Sequence, residues 1–466
     1  MREYQFQSPF FRRLGYAVWL VLLVMAMVYY KERAFFMDAG FQLFNMINEG
    51  AIQVYHYRFV TALPQILPFF LLEMGAPLWA LGLGFSVAYL LFYLLVYHLL
   101  VRYLNNDLLG WVLLFLFTLI SLDTFYHMQS EFYLGLSLLL LVFGIVLRFP
   151  ELGQKWIWAA LLPLLVTVGF SHKLSLVFFL FLWLFLGISN KVLWHRRYLL
   201  LLGVFLAVAA FKSIYFTNWY EAAKQVDFQN YWEQYFPNFQ TIPANLVFLN
   251  RCFHYYYMLP ILLALVSIFY IVKKRWLKLA LVWSFFLGFL LLYNISDPEA
   301  PYRFYSEVTY LPLSIFVATP FWFDVAGGWD KKGPAKTGGY LGIFLISLMA
   351  LRLAAIAANH RTFGRQYTWI EKKLEQPAGN RFLLKKENVP MDTVLMEWGA
   401  TFTALHLSSL HGAKHAKTLL ILPDFKQYEK ELESDSYFLS PFKAIPVEKL
   451  NKKYFDLGKG KYQDID

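Results

Sequence analysis

The chain has 466 residues, of which 59% are hydrophobic, 20% aromatic and only 16% charged. A soluble globular protein carries about 25% charged residues, so this composition excludes that class. Lys and Arg outnumber Asp and Glu by 42 to 31, which gives a net charge of +11. The basic residues lie at the ends of apolar runs, where lipid head groups explain them better than nucleic acid does. We therefore predict an α-helical, polytopic membrane protein with membrane lipid, and no nucleic acid, as its partner.

Eleven apolar runs are candidates for membrane-spanning helices, because about 20 helical residues cross the hydrocarbon core of a bilayer. They lie at about 14–30, 78–101, 108–122, 132–148, 156–170, 174–189, 198–215, 253–272, 277–293, 307–323 and 339–356. The first run follows Arg2, Arg12 and Arg13, and no small-residue cleavage site comes after it. We interpret it as a retained span rather than a signal peptide.

The distribution of Lys and Arg predicts which turns face the cytoplasm. With the N-terminus in the cytoplasm, the short outer turns hold few basic residues, chiefly Lys173 and Arg303. The inner turns hold Arg12, Arg13, Arg102, Arg148, Lys155, Lys191, Arg196, Arg197, Lys273, Lys274, Arg275, Lys278, Lys331, Lys332 and Lys336. The apolar segment 59–72 contains two prolines, and counting it as a span would place most of these bases outside. We expect it to be a re-entrant or partly embedded helix, within an outer loop at 31–77 that also holds an amphipathic helix.

The composition divides the chain at about residue 356. Residues 1–356 form the predicted transmembrane domain, and residues 357–466 are polar enough to form a small external α/β domain. Runs at 393–396 and 418–422 are strand-like, and segments near 365–375 and 400–410 are helix-like. The layout fits a bacterial inner membrane, with the C-terminal domain in the periplasm. The single cysteine, Cys252, allows no disulfide within the chain.

No metal site is predicted from the sequence. His406, His411 and His415 lie close together in the C-terminal region. Their spacing includes a glycine, however, and no carboxylate pattern accompanies them.

Ionisable residues near a bilayer are energetically costly, so clusters of them indicate candidate functional sites. The predicted outer openings supply five groups: Asp38 with Glu49; His56, Tyr57 and Arg58; Asp123, His127, Gln129 and Glu131; His172 and Lys173; and Asp297, Glu299, Tyr302, Arg303 and Glu307. Spans placed side by side would let these groups converge on one cavity. Several cations suit a phosphate or pyrophosphate, and a nearby carboxylate can accept a proton from an attacking hydroxyl.

Structural roles are also open to these residues. Asp38 precedes an amphipathic helix and could be its N-cap, a role compatible with catalysis. His56 and Arg58 could extend towards lipid head groups. Glu131 could serve only as a favourable charge at the start of the fourth span. Arg303 stands between aromatic residues, as in an interfacial aromatic belt.

The arrangement resembles the GT-C superfamily of integral-membrane glycosyltransferases, in particular the dolichyl-phosphate-mannose and aminoarabinose transferases. The likeness covers about 14–356, chiefly as topology. An acidic residue follows span one (Asp38 in FMDAGFQLF), and a carboxylate, more usually Asp in the family, opens span four (Glu131 in FYHMQSEFYLGL). Ser171-His172-Lys173-Leu174 resembles a Lys-containing turn between spans five and six, and Tyr302-Arg303-Phe304-Tyr305 precedes the Pro-containing YLPLSIF.

The resemblance implies an inverting transfer of a sugar from a polyprenyl-phosphate donor to an acceptor at the outer face, with Asp38 as general base. Lys173, Arg303 and Arg58 would stabilise the leaving phosphate. The implied substrate-binding set is His56, Arg58, Glu131, His172, Lys173, Tyr302 and Arg303. The sugar and the acceptor stay open.

The resemblance also bears on cofactors. The family often has two adjacent acids in the first loop, whereas this chain has Asp38-Ala39. That departure implies no required cofactor, with a divalent metal optional, or a member that has lost activity. The rival reading is a non-catalytic subunit of a membrane complex, or a lipid or solute transporter. Inverted repeats and broken midplane helices, which are typical of transporters, are not evident in the sequence.

Overall fold

The computed structural model describes residues 8–326, 336–375 and 379–465, and the fold is mostly helical with a small sheet region near the C-terminus. The first ten helices are α1 (Pro9–Val28), α2 (Tyr30–Ala34), α3 (Met37–Glu49), α4 (Ile66–Glu73), α5 (Leu78–His98), α6 (Asp107–Thr118), α7 (Glu131–Arg148), α8 (Lys155–Ser171), α9 (Ser175–Asn190) and α10 (Arg196–Tyr215). Ten more follow: α11 (Trp219–Tyr235), α12 (Pro243–His254), α13 (Met258–Val272), α14 (Trp276–Ser296), α15 (Arg303–Tyr310), α16 (Leu313–Pro320), α17 (Lys336–Ala358), α18 (His360–Glu375), α19 (Ala400–Ser409) and α20 (Glu429–Leu432).

Within the described part of the chain, seven helices are long and apolar enough to cross a membrane. An eighth arises if α12 and α13, which meet at 91°, form one broken span. These helices make the chain a polytopic helical membrane protein. Each of the eleven predicted runs overlaps a helix, but α6, α8 and α9 have only 10–17 residues. The number eleven therefore stays a prediction, and Lys331 and Lys332 of the charge argument lie outside the described residues.

The segment after the first loop is helical but interrupted, as its prolines suggested. A 3₁₀ helix at Phe59–Gln65 contains Pro64 and leads into α4. Helix α4 packs closely on α5, because Gly84 of α5 leaves room for the Leu71 side chain. A Cβ at Gly84 would lie 2.6 Å from Leu71 Cδ1. Whether this segment enters the bilayer stays a prediction.

Helix α7 is surrounded by other parts of the protein, and 83% of its residues are buried. It approaches α8 at Gly135, where an added Cβ would lie 2.0 Å from the Ser171 hydroxyl oxygen. Small residues allow membrane helices to approach this closely. The contact fixes the end of α8, and with it the following His172-Lys173 turn, beside the start of α7.

The C-terminal region is a small α/β unit. Strands β1 (Arg381–Lys385), β2 (Thr418–Leu422) and β5 (Gln463–Asp464) form a parallel sheet in the order β2-β1-β5, and β3 (Tyr437–Leu439) pairs antiparallel with β4 (Ala444–Pro446). The predicted strand at 418–422 is present. The predicted strand at 393–396 is wrong, because its backbone turns back on itself. The amides of Thr393 and Val394 both donate to the Pro390 carbonyl.

This C-terminal unit packs on α3, the helix that carries Asp38. The Phe44 ring contacts Phe402, Phe438 and Phe455 at centroid distances of 5.3, 5.3 and 5.6 Å. Helix α3 is therefore enclosed by C-terminal side chains along one face. The first loop and the C-terminal unit therefore pack directly on each other.

Candidate functional site

Asp38 lies in the first turn of α3, with its carboxylate 42% exposed. The prediction that it caps this helix is wrong, because the N-cap is Phe36 and the helix begins at Met37. No side chain makes a capping hydrogen bond at this end of α3. The partial positive charge of a helix N-terminus still favours a carboxylate in the first turn. Asp38 is thus held on the helix while its carboxylate stays open to solvent.

The partner of Asp38 is His127, from the segment between α6 and α7. The Nε2 atom of His127 lies 3.2 Å from Oδ2 of Asp38. The imidazole ring makes edge contacts with Phe36, Phe304 and Tyr305 at centroid distances of 5.6–5.8 Å. Its Nδ1 atom has no hydrogen-bond partner among the described residues. Aromatic packing therefore fixes the ring, and the ring orients one oxygen of the carboxylate.

A second group of charges lies where five segments meet, and we call it the Glu221 cluster: Arg58, Glu131, Lys173, Lys212 and Glu221. Arg58 donates to Glu131 at the start of α7. The Glu221 carboxylate lies 3.2 Å from Lys173 Nζ, 3.5 Å from Lys212 Nζ and 4.0 Å from Arg58. Three cations thus face two carboxylates. The structure brings three of the predicted residues together here and adds Lys212 and Glu221.

The two predicted histidines flank this cluster. His56 stacks on Tyr220 at 4.8 Å, and Arg58 lies 5.8 Å from the same ring. Burial, and then the charge of Arg58, lower the pKa of His56. His172 stacks on Phe132 at 4.5 Å, and burial lowers the pKa of its imidazole well below the ordinary value. Both rings are therefore neutral at pH 7 and add hydrogen-bonding capacity but no charge.

A short segment connects Asp38 to the Glu221 cluster. His127, which contacts Asp38, is followed four residues later by Glu131, which accepts a hydrogen bond from Arg58. The ring of Tyr305 lies 5.8 Å from the His127 ring, on the Asp38 side of this segment. Tyr302 packs beside it, with centroids 5.8 Å from Phe304 and 6.2 Å from Tyr305.

Arg303 belongs to a different group. Its Nε and Nη2 atoms donate to the two carboxylate oxygens of Asp123 at 2.7 and 2.6 Å. Its guanidinium carbon lies 4.5 Å from the Tyr255 ring centre. Arg303, which the sequence predicted to bind a phosphate, is therefore already paired with the Asp123 carboxylate and packed on the Tyr255 ring.

Sequence reasoning missed the buried Arg33, which donates to the Phe125 carbonyl and to Ser86. Burial lowers the pKa of its guanidinium to about 9. Beside it lies a cavity of about 30 Å³, also lined by Tyr89 and Tyr93. Their hydroxyls have no partner within the described ranges. The only sequence signal was an arginine placed just after the first apolar run.

Among the residues that the structure describes, no three His, Cys, Asp or Glu side chains come close enough to hold a metal ion. His406 instead stacks on Phe35 at 4.8 Å, and its Nε2 lies 3.0 Å from the Gly40 carbonyl. This histidine holds the C-terminal unit against α3.

No protein-family model matches the chain, and neither curated proteins nor solved structures give a match. The class is therefore defined by the fold and the site alone. The chain is a polytopic helical membrane protein in which a carboxylate–imidazole pair lies at α3, the helix that packs on the C-terminal α/β unit, and three cations surround Glu221.

Proposed function

We propose that this protein is a membrane glycosyltransferase that takes a sugar from a polyprenyl-phosphate donor, with inversion at the anomeric carbon. One observation carries the proposal. The segment 127–131 contacts the partly exposed Asp38 carboxylate through His127 and Arg58 of the Glu221 cluster through Glu131, so it joins a candidate general base to a group of cations that suits a phosphate. Cations stabilise the negative charge of a phosphate leaving group, and a carboxylate can accept the proton of an acceptor hydroxyl.

In the proposed reaction, Asp38 accepts the proton of the acceptor hydroxyl while that oxygen forms a bond to the anomeric carbon. The bond from the anomeric carbon to the lipid-phosphate oxygen breaks, and its electrons leave with the phosphate. A phosphate needs no proton to depart, so one carboxylate suffices, unlike the paired acids of glycoside hydrolysis. His127 acts as a positioning residue, because its contact at 3.2 Å holds one oxygen of Asp38 and leaves the other open.

Arg58 and Lys173 are the proposed ligands of the leaving phosphate, and Glu131 holds Arg58 in place. The neutral rings of His56 and His172, together with Tyr302, supply donors and apolar faces to the sugar. Arg303 has a supporting role here, because Asp123 already binds both edges of its guanidinium. The proposed location is the outer face of a bacterial inner membrane, with the N-terminus in the cytoplasm.

The test is transfer of radiolabelled sugar from polyprenyl-phosphate donors by the purified full-length protein. Asp38→Asn should reduce transfer by about 10²–10⁴-fold, the usual contribution of a general base. Glu49→Gln is the matched control, because Glu49 is an exposed carboxylate at the other end of the same helix.

Full activity in the Asp38→Asn protein would remove Asp38 from the role. The rival function, a non-catalytic subunit, is favoured by the internal pairing of Arg58, Lys173 and Arg303. Failure of the wild-type protein to bind or use any polyprenyl-phosphate sugar, with a stable protein partner in a pull-down, would support that rival.

A further inference from the structure

The first turn of helix α11 carries a buried carboxylate. Among the 17 residues of Trp219–Tyr235, only Glu221 is buried. In the second half of the helix, Phe228, Tyr231 and Tyr235 are partly buried, whereas Trp219 at its start is 77% exposed. Asn218 caps the helix by accepting a hydrogen bond from the Glu221 amide. The first turn of α11 therefore carries a carboxylate inwards, while the second half of the helix packs against a separate apolar cluster.

That carboxylate lies among three cations from three different segments. Arg58 precedes the 3₁₀ helix, Lys173 lies in the turn between α8 and α9, and Lys212 lies in the last turn of α10. Only 2% of the Lys212 side chain is exposed, so its ammonium group has lost most of its water. A desolvated cation requires a hydrogen-bonded anion nearby. Glu221 supplies that anion in this structure.

A phosphate group meets the same requirement better than a carboxylate does. The lipid phosphate monoester that leaves the donor offers three terminal oxygens and up to two negative charges, whereas Glu221 has two oxygens and one charge. Lys173 is 40% exposed, so the cluster is open to solvent on one side. Phe228, Tyr231 and Tyr235 anchor the second half of α11 separately, so the first turn can leave the cluster while the rest of the helix stays packed.

We infer that Arg58, Lys173 and Lys212 form the subsite for the polyprenyl phosphate that leaves the donor, and that Glu221 occupies this subsite until the lipid phosphate displaces the first turn of α11. The inference rests on the proposed function. It assigns Lys212 to the site and makes Glu221 an internal competitor of the lipid phosphate. A competitor that occupies a site in nine molecules of ten weakens the apparent affinity about tenfold.

The experiment measures binding of undecaprenyl phosphate to the full-length protein in nanodiscs. Glu221→Gln should bind it about tenfold more tightly than the wild type. Glu233→Gln, on an exposed position of the same helix, is the matched control and should leave the affinity unchanged. Lys212→Met should weaken binding at least fivefold. Undecaprenol, which lacks the phosphate, should not compete. If inorganic phosphate competes as well as the lipid does, the ligand is the free ion and the lipid assignment is overturned.

Hydrogen exchange of the wild-type protein supplies a readout that needs no variant. Amides in 219–225 should exchange faster when undecaprenyl phosphate is bound, because the first turn of α11 leaves the cluster. Binding with unchanged exchange, or equal or weaker binding by Glu221→Gln, would overturn the inference while leaving the proposed function intact. Absence of any undecaprenyl phosphate binding would overturn both, and binding without sugar transfer would overturn the proposed function alone.

Discussion

Arg303 and Asp123 form a bidentate ion pair that joins distant parts of the chain. Both carboxylate oxygens of Asp123 accept from the guanidinium, at 2.6 and 2.7 Å. Asn359 completes the arrangement by accepting from Arg303 at 3.0 Å and donating to Asp123 at 2.8 Å. The three residues connect the start of α15, the α6–α7 segment and the junction of α17 with α18. This geometry indicates a structural role, in which the three side chains hold these segments together.

We predict that Asp123→Asn destabilises the protein by about 3–5 kcal/mol, because it leaves a mostly buried guanidinium without its anion. Thermal unfolding in detergent would measure the loss. Arg303→Gln alone should also destabilise, since Asp123 is buried. The double variant should lose less than the sum of the two single losses. Additive losses would show that the pair is not coupled.

Most helix positions follow from the sequence, and most tertiary partners do not. The apolar runs placed a helix at every predicted span, because the bilayer requires internal backbone hydrogen bonds. Arg303 illustrates the limit. Its aromatic neighbours suggested either an interfacial belt or a phosphate ligand, but its partner Asp123 lies 180 residues away. A pairing over that separation leaves no local pattern.

The residues of the candidate site could also be predicted only in part. Arg58, Glu131 and Lys173 stood out because charges are rare beside apolar runs, and the structure brings them together. Lys212 and Glu221 carried no such signal, since one ends a span and the other opens a polar helix. The contact of α3 with the C-terminal unit was also hidden. It depends on aromatic surfaces that become complementary only after both segments fold.

The close contact of α7 and α8 predicts a sensitive position at Gly135. Gly135→Ala should destabilise by about 1–3 kcal/mol, because the new Cβ would lie 2.0 Å from the Ser171 oxygen and must push the helices apart. The shift should also move Lys173 and weaken undecaprenyl phosphate binding. Thermal unfolding and the binding assay would measure the two effects.

Gly288→Ala is the matched control, because nothing lies within 4 Å of a Cβ built at Gly288 in α14. It should be neutral or slightly stabilising. The double change Gly135→Ala with Ser171→Gly should recover much of the loss by removing the clashing side chain. No recovery would mean that the Ser171 contact is not the cause.

The predicted orientation can be checked by cysteine labelling in intact cells or right-side-out vesicles. In a Cys252→Ser background, a cysteine at Gln225 in α11 should react with a membrane-impermeant maleimide. A cysteine at Trp194, which is 86% exposed between α9 and α10, should react only after permeabilisation. The expectation follows from the Lys and Arg distribution. The reversed labelling pattern would mean that Phe59–Glu73 crosses the membrane after all.

His406 predicts how the stability of the C-terminal contact depends on pH. Its ring is fully buried against Phe35, and burial lowers its pKa from 6.5 to about 4. Between pH 6.5 and 4 the unfolded chain therefore binds a proton that the folded chain does not. Stability should be fully present above about pH 6.5 and should fall as the pH decreases towards 4, by about 3 kcal/mol in all.

Unfolding temperatures at pH 7.5 and 4.5 would measure this loss in the wild type and in His406→Gln. The glutamine can still donate to the Gly40 carbonyl but cannot titrate, so its unfolding temperature should fall less on acidification. His411→Gln is the matched control, because His411 is exposed and should retain the wild-type pH dependence. Equal acid sensitivity in the wild type and His406→Gln would place the titrating group elsewhere. A smaller loss in His406→Gln alone would establish that protonation of this histidine destabilises the folded protein.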